Sequence, residues 1–435
     1  MKVLHFSALD GHTGAGAAAA RIHSGLLERG VDSHFCVAHR VCDLPNSFTP
    51  KATFLHRLER RVRARFDEWL TRRYAPDYDY VLSSGLDGFN IREIVRQMRP
   101  DVVHLHWIAG NSFKIGSLAG LRTPVVWRLA DMWPFCGMEH LEVDAHKYTT
   151  PVNEKAGILA GGKHASEWTR RRKLRVYQTL PHLRLAAPSR WMARETMRSA
   201  LLGERPLDII PTGCDSRQFY PVAQQACREA LGLPRDSCVV LVGATSMRTR
   251  WKGVDLFIQA SKSAFHALSA KNHPKPRILT FGAEAFPETV LEGLVDVEHL
   301  GPIRDKRLMR IIYNAADVFV APSRMENLAN TVLESLACGT PVVAFDIGGM
   351  PDAIEHEKNG FLARPFDTKH LAEGIRFVLS RRDDPSMRLA AREKILRDFS
   401  LDREIDLYMD LYARMLAEVS AGASTIAPAM ADARG

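Results

Sequence analysis

Pro322–Ile347 reads PSRMENLANTVLESLACGTPVVAFDI, a loop, a helical stretch and a second apolar strand run in sequence. The apolar run Val318–Val320 precedes it, so Glu326 falls in the loop after a strand, Asn330 and Thr331 at the start of a helix, and Glu334 one turn into that helix. Asn is a good N-cap, and the first-turn amides and positive dipole end of such a helix make an anion site suited to a pyrophosphate. Two carboxylates flank that site, and both can accept hydrogen bonds from sugar hydroxyls. The chemistry implied is that of a nucleotide-sugar pocket.

A strand–helix–strand unit of this kind recurs through the chain. Val3–Leu9, Ser33–Ala38, Val102–His106 and Val125–Leu129 are short β-rich runs separated by helical patterns. The alternation restarts after the Pro-Thr-Gly turn at Pro211–Gly213, with Val239–Val242, Ile278–Phe281, Val318–Val320 and Val342–Phe345. Alternating strands and helices predict parallel sheets covered on both faces, and the restart predicts an α/β protein with two doubly wound domains. Ligands bind beyond the carboxyl ends of such strands. Two such domains facing one another would share a cleft, donor in one wall and acceptor in the other.

The residues also carry a family resemblance. Glu326 and Glu334, with seven residues between them, reproduce the E-x7-E signature of the retaining glycosyltransferases of family 4, which have the GT-B fold. The likeness extends through AADVFVAPS from Ala315, ACGTPVVA from Ala337, Gly348-Gly349 and the NGFL run Asn359–Leu362. IIPTGCDSRQFYP resembles the family's interdomain stretch, with Thr212 where Asn is usual. The resemblance therefore implies an acceptor-binding domain over 1–214 and a donor-binding domain over 215–400. It also implies a helix over 401–418 crossing back to the first domain; the Ala-, Gly-, Pro- and Ser-rich tail 419–435 reads as disordered.

The resemblance assigns roles residue by residue. Glu326 binds the transferred sugar and Glu334 the ribose; Asn327, Leu328 and Ala329 line the pocket through backbone amides, and Asn330 and Thr331 hold the diphosphate. In GATSMRTRWKG, Lys252 matches the family's phosphate-binding lysine, partnered by Arg248 or Arg250. These cations would neutralise the departing diphosphate in place of a metal ion, so neither metal nor cofactor is expected. Gly14 and Gly16 in DGHTGAGAAAAR fall in the first strand-to-helix turn, where backbone can approach a phosphate or sugar. In Val125–His140 the family's histidine position is Ala130; Asp131 remains as an acceptor-side carboxylate, and His140 matches the later histidine only loosely. His104 and His106 point to one side of their strand, toward the cleft mouth or into the core.

Composition bounds the rest. With 435 residues, 46% hydrophobic and 25% charged, the chain can fill two or three globular cores. Seven scattered cysteines without a C-x2-C pair predict reduced, mostly buried thiols. A net charge of +9 admits phosphorylated substrates or anionic lipid. No run approaches the roughly 20 apolar residues of a membrane span, and MKVLHFSAL runs straight into a glycine-rich turn, unlike a leader, so a cytoplasmic location is expected.

Leu55, Leu58, Val62, Phe66 and Trp69 recur at helical spacing among Arg57, Arg60, Arg61, Arg63, Arg65, Arg72 and Arg73. This basic amphipathic helix would either lie on anionic lipid at the cytoplasmic membrane face or pack on its own domain. A second basic run, Arg170–Lys173, reads as a solvated helix face.

The expected partners are a UDP- or GDP-sugar and a glycan or lipid-linked acceptor, with no nucleic acid. Three alternatives stand beside the transferase. A catalytically quiet sugar-binding homologue is suggested by Ala130, and a nucleotide-sugar epimerase by the shared two-domain plan. An NADPH enzyme is suggested by Gly14-x-Gly16-x-x-Ala19 with Arg40; against it, these glycines come late after the strand and the second-domain motif goes unexplained.

Overall fold

The computed structural model describes residues 1–435 apart from 12–13, 52–53, 76–77, 79, 154–162, 245, 247, 270–275, 285–290, 292, 294 and 432–435, with backbone alone at 54–58, 60, 163, 267–269 and 422–431. The chain divides into two units, one of residues 1–210 plus the C-terminal segment from Glu404, the other Pro211–Arg403.

The first unit is built on β1 (Lys2–Leu9), β2 (Asp32–His39), β3 (Ser47–Phe48), β4 (Val102–Leu105), β5 (Val125–Arg128), β6 (Leu183–Ala187) and β7 (Leu207–Ile209). They form a parallel sheet in the order β3-β2-β1-β4-β5-β6-β7. The second unit repeats the plan with β8 (Cys238–Gly243), β9 (Pro276–Phe281), β10 (Asp296–His299), β11 (Val318–Ala321), β12 (Val342–Phe345) and β13 (Gly360–Ala363), in the order β10-β9-β8-β11-β12-β13. These pairs are parallel too.

Every residue of β4, β5, β11 and β12 is buried, as expected for strands covered on both faces by crossover helices. In the second unit Leu241, Phe319 and Leu336 pack on one side of the sheet, and Val240, Phe257, Val320 and Ile375 on the other. Fully burying one such side chain contributes about 1.5–3 kcal/mol. The strands with the strongest β-rich runs were legible in sequence. The two-residue β3, the short β6, β7 and β13 and the half-exposed β10 were not: β3 and β7 are too short to show a period, and β6, β10 and β13 interrupt their apolar runs with charged or small residues.

Three expectations are corrected. Gly14 and Gly16 are not in a turn but in the first turn of the helix Gly14–Glu28, Gly14 exposed and Gly16 buried. The C-terminal helix does not stop near Glu418; it runs Leu401–Ala431, since the alanines that made the tail look featureless are also the best helix formers. The basic run at Arg170 is not a solvated face: Arg170 and Lys173 are 3% and 0% exposed. Lys173 Nζ donates to the carbonyls of Trp133, Cys136 and Gly137, and its charge lies 3.8 Å from the Trp133 ring centroid. Burial pushes this ammonium down to about 7.

The helix Phe54–Tyr74 is turned the other way from packing its predicted stripe inward. Leu70 and Asp67 are buried, whereas Val62, Phe66 and Trp69 are 64%, 40% and 47% exposed. The side chains of Leu55, Arg57, Leu58 and Arg60 lie outside the described ones. Among the described residues no helix is long and apolar enough to cross a membrane.

Candidate donor pocket and acceptor-side carboxylate

In the second unit β8 ends at Gly243, and the chain returns through a 3-10 turn, Arg250–Lys252, before the helix Val254–Ser269. The turn closes on Gly253, at φ 65°, and a Cβ there would lie 1.9 Å from the carbonyl oxygen of Pro322. Only glycine lets this turn sit against the end of β11, and that contact brings Lys252 to the loop carrying Glu326. Lys252 Nζ and Glu326 Oε2 are 2.6 Å apart, with side chains 34% and 18% exposed.

A pocket lined by Gly243, Ala244, Lys252, Glu326, Ala329 and Thr331, among others, surrounds the pair. Gly348 supports the far side of the loop. Its φ is 54°, and a Cβ would fall 1.8 Å from the Glu326 carbonyl oxygen, which accepts a bond from Gly349 N at 3.2 Å.

Arg324, which the sequence reading missed, latches the two walls together. Its guanidinium grips both Asp255 oxygens at 2.7 and 2.6 Å and donates to the Arg250 carbonyl at 2.9 Å, while its amide donates to the Trp251 carbonyl at 2.8 Å. The bidentate hydrogen bond holds the Asp255 carboxyl below its ordinary range. The only signal in the sequence is an arginine two residues before Glu326; its partner, 69 residues away, gives none.

The remaining predicted donor residues are distributed around this centre. The helix Asn330–Ala337 is capped at Ala329, in extended conformation and without a side-chain bond, so Asn330 is its first helical residue and not the predicted N-cap. Glu334 is half-buried, and its Oε2 accepts from the Tyr313 hydroxyl at 3.0 Å. Burial first, then this carboxylate, pushes the Tyr313 phenol well up. Leu328 sends its side chain into the core, and Asn327 is 9% exposed. Arg248 and Arg250 are exposed, and neither lines the pocket.

The first unit holds the other carboxylate. Asp131 follows β5, and its Oδ2 accepts from Trp107 Nε1 at 2.7 Å and His140 Nδ1 at 2.6 Å, its Oδ1 from Trp133 N at 3.0 Å. His140 Nε2 meets Ser83 Oγ at 2.9 Å. With Nδ1–H donated to the carboxylate, Nε2 accepts the serine proton, a tautomer assigned from the network. His140 is fully buried, and Asp131 keeps 14% of its side chain exposed. The chain thus has a histidine behind Asp131 although Ala130 stands at the family's histidine position. Neither Trp107 nor Ser83 was predicted.

His104 and His106 do not reach the surface; both are buried in the core. Arg40, the alternative 2′-phosphate ligand, is paired to Asp43 and donates to the Cys42 carbonyl at 3.1 Å.

Residues 237–381 match the family model described as "Glycosyl transferases group 1". A D-inositol 3-phosphate glycosyltransferase of Geodermatophilus obscurus is 29% identical over 323 residues, covering 70% of this chain and 64% of the relative. The matched region therefore spans less than two thirds of that relative's length.

Two solved structures share the fold across nearly the whole chain. Sucrose-phosphate synthase from Thermosynechococcus elongatus has a TM-score of 0.62 at 17% identity, over 96% of this chain and 99% of its own. Anabaena HepE in complex with UDP-glucose has a TM-score of 0.60 at 17% identity, over 96% and 100%. Residues 237–381 thus match a glycosyl transferases group 1 domain, and the chain has the two Rossmann-like domains of the GT-B fold that these solved structures share.

Proposed function

We propose that the protein is a retaining glycosyltransferase that moves a sugar from a UDP- or GDP-sugar to a hydroxyl of a glycan or lipid-linked acceptor, in surface polysaccharide assembly. The observation that carries this reading is the Lys252–Glu326 pair, 2.6 Å apart in a pocket inside a glycosyl transferases group 1 domain. The solved structure of HepE with UDP-glucose supports a nucleotide-sugar donor of this kind.

The pair suggests an exchange of partners. An arriving diphosphate competes with Glu326 for the Lys252 ammonium, and the freed carboxylate then accepts hydrogen bonds from hydroxyls of the sugar. Charge grows on the leaving oxygens in the transition state, where a fixed ammonium contributes most. Lys252 would thereby take the role of a metal ion, with Arg248 and Arg250 exposed close by in sequence. Glu334, oriented by Tyr313, is positioned for a ribose hydroxyl, and Ala329 and Thr331 for the diphosphate.

On the acceptor side Asp131 would orient the attacking hydroxyl, its carboxylate fixed by three donors. Retention is read from the family resemblance. A lipid-linked acceptor is favoured by the outward stripe of Val62, Phe66 and Trp69 among exposed Arg61, Arg65, Arg72 and Arg73, which would hold the protein at the cytoplasmic face of an anionic membrane. The G. obscurus relative's name supports a second acceptor class, a phosphorylated cyclitol.

Nucleoside diphosphate release from a panel of UDP-, GDP-, dTDP- and ADP-sugars tests the reading, with EDTA present and absent. Release from one donor class, insensitive to EDTA and lost in Glu326→Ala, is expected. Saturable donor binding with no release, even with lipid-extract and inositol phosphate acceptors, would identify a sugar-binding homologue instead. Epimerised donor without acceptor would identify an epimerase.

A further inference from the structure

We propose that His5, His104 and His106 form a buried site for a borderline transition-metal ion, such as Zn2+ or Co2+, in the core of the first unit. His5 lies on β1 directly opposite His104 on β4, and His106 is two residues further along the same face. Their exposures are 0%, 0% and 1%, and one donor nitrogen from each lies within 4.8 Å of the others. A tetrahedral ion with Zn–N bonds of about 2.0–2.1 Å needs donors about 3.4 Å apart. The His5 Nδ1–His106 Nε2 separation is already 3.0 Å.

The hydrogen bonding of this cluster does not close on itself. His5 Nδ1 and His106 Nε2 share one proton, and the Tyr412 hydroxyl meets His104 Nδ1 at 2.7 Å. His5 Nε2, His104 Nε2 and His106 Nδ1 are buried with no hydrogen-bond partner among the described residues. Whichever way the shared proton lies, the His5–His106 pair strands one N–H and one lone pair in the core. Buried polar groups are nearly always satisfied, and three failures in one cluster call for an occupant. A metal ion held by His5 Nδ1, His104 Nε2 and His106 Nε2 would take the place of the shared proton, which moves to the outer nitrogen that carried the lone pair, and would occupy the open His104 nitrogen.

The surroundings suit a cation held by neutral imidazoles. With the His104 Nδ1–H donated to the Tyr412 oxygen, as second-shell partners of metal-bound histidine accept, Nε2 would be left to ligate. Imidazole donors alone select zinc-like ions over Mg2+ or Ca2+. The facing groups are His23, Phe35, Tyr408, Tyr412 and Arg128; the Arg128 charge opposes a cation, and its pairing with Glu404 at 4.0 Å offsets it. Such an ion would staple β1 to β4 beneath the C-terminal helix and take no part in glycosyl transfer.

The test uses untagged full-length protein, stripped with chelator and titrated with Co2+. The expected result is one equivalent bound with the visible absorption of tetrahedral Co2+, abolished in His106→Gln, and a rise in Tm on the order of 5 °C on adding Zn2+. The wild-type titration does not depend on the variant folding. Absence of both a Co2+ band and a stoichiometric metal content in folded wild-type protein would overturn the site in favour of buried water. A band that persists in His106→Gln would place the metal elsewhere and overturn it equally.

Discussion

Lys252 Nζ and Glu326 Oε2 are 2.6 Å apart across 74 residues of sequence, so the two side chains expected to handle opposite ends of a donor neutralise one another before any donor arrives. Lys252→Met should cut turnover about 10²-fold, the scale of losing a preorganised charge at a developing oxyanion. Glu326→Gln should weaken sugar discrimination more than nucleoside diphosphate binding. Steady-state kinetics alongside calorimetric titration with the free diphosphate separates the two effects, and a Lys252→Met enzyme with normal kcat would refute the charge role.

Arg324 touches neither the pocket nor the expected substrate, yet it ties Asp255 and the Arg250–Trp251 carbonyls to the Glu326 loop. Arg324→Ala should lower kcat/KM for the donor about tenfold with little loss of Tm, since the pair to Asp255 is partly exposed and exposed pairs contribute little stability. Asp255→Asn should give a smaller loss of the same kind, and the double variant should lose less than the sum. Additive effects would show that the latch does not act as a unit.

His140 lies behind Asp131 and acts through it. His140→Phe removes the donor at 2.6 Å and should reduce acceptor-dependent turnover about 10²-fold, with donor KM unchanged. His140→Asn, which can still donate to Asp131, should recover part of it. The split between acceptor and donor parameters, and the partial rescue, distinguish positioning from a general loss of fold.

All seven cysteines are free thiols, and Cys42 is the one that is not buried. Burial pushes Cys238 up to about 12 and drives Cys36, Cys136, Cys227 and Cys338 upward as well, so the reactive thiolate is scarce at those positions. Alkylation of the native protein at pH 8 should modify Cys42 quickly and the rest only on unfolding, by intact-mass spectrometry.

The Phe54–Tyr74 helix should bring the protein down with anionic phosphatidylglycerol vesicles and not with neutral ones. Trp69→Ser combined with Arg65→Glu should abolish sedimentation, and added salt should weaken the wild type, as expected for basic side chains each worth about 1 kcal/mol near such a surface. Sedimentation insensitive to both charge and salt would count against this surface.

The sequence by itself determined the strand–helix rhythm of two parallel-sheet units, because strands buried on both faces must be written as continuous apolar runs such as VVWR and VVAF. It also determined the residue types at Lys252, Glu326 and Asp131. It could not determine what each of these touches. The Arg324–Asp255 latch, the Tyr313 hydroxyl on Glu334 and the Trp107–His140 grip on Asp131 join residues 9 to 69 positions apart that leave no periodic trace.

Only the tertiary structure decided which face of the Phe54–Tyr74 helix is covered. Its outward stripe and its inward Asp67–Leu70 side differ by about one residue's rotation, 100°, and packing against the domain makes that choice. It likewise decided that Lys173, written as surface charge, is buried under three carbonyls. An ammonium tolerates burial when fixed acceptors meet it, and their positions follow from the fold alone.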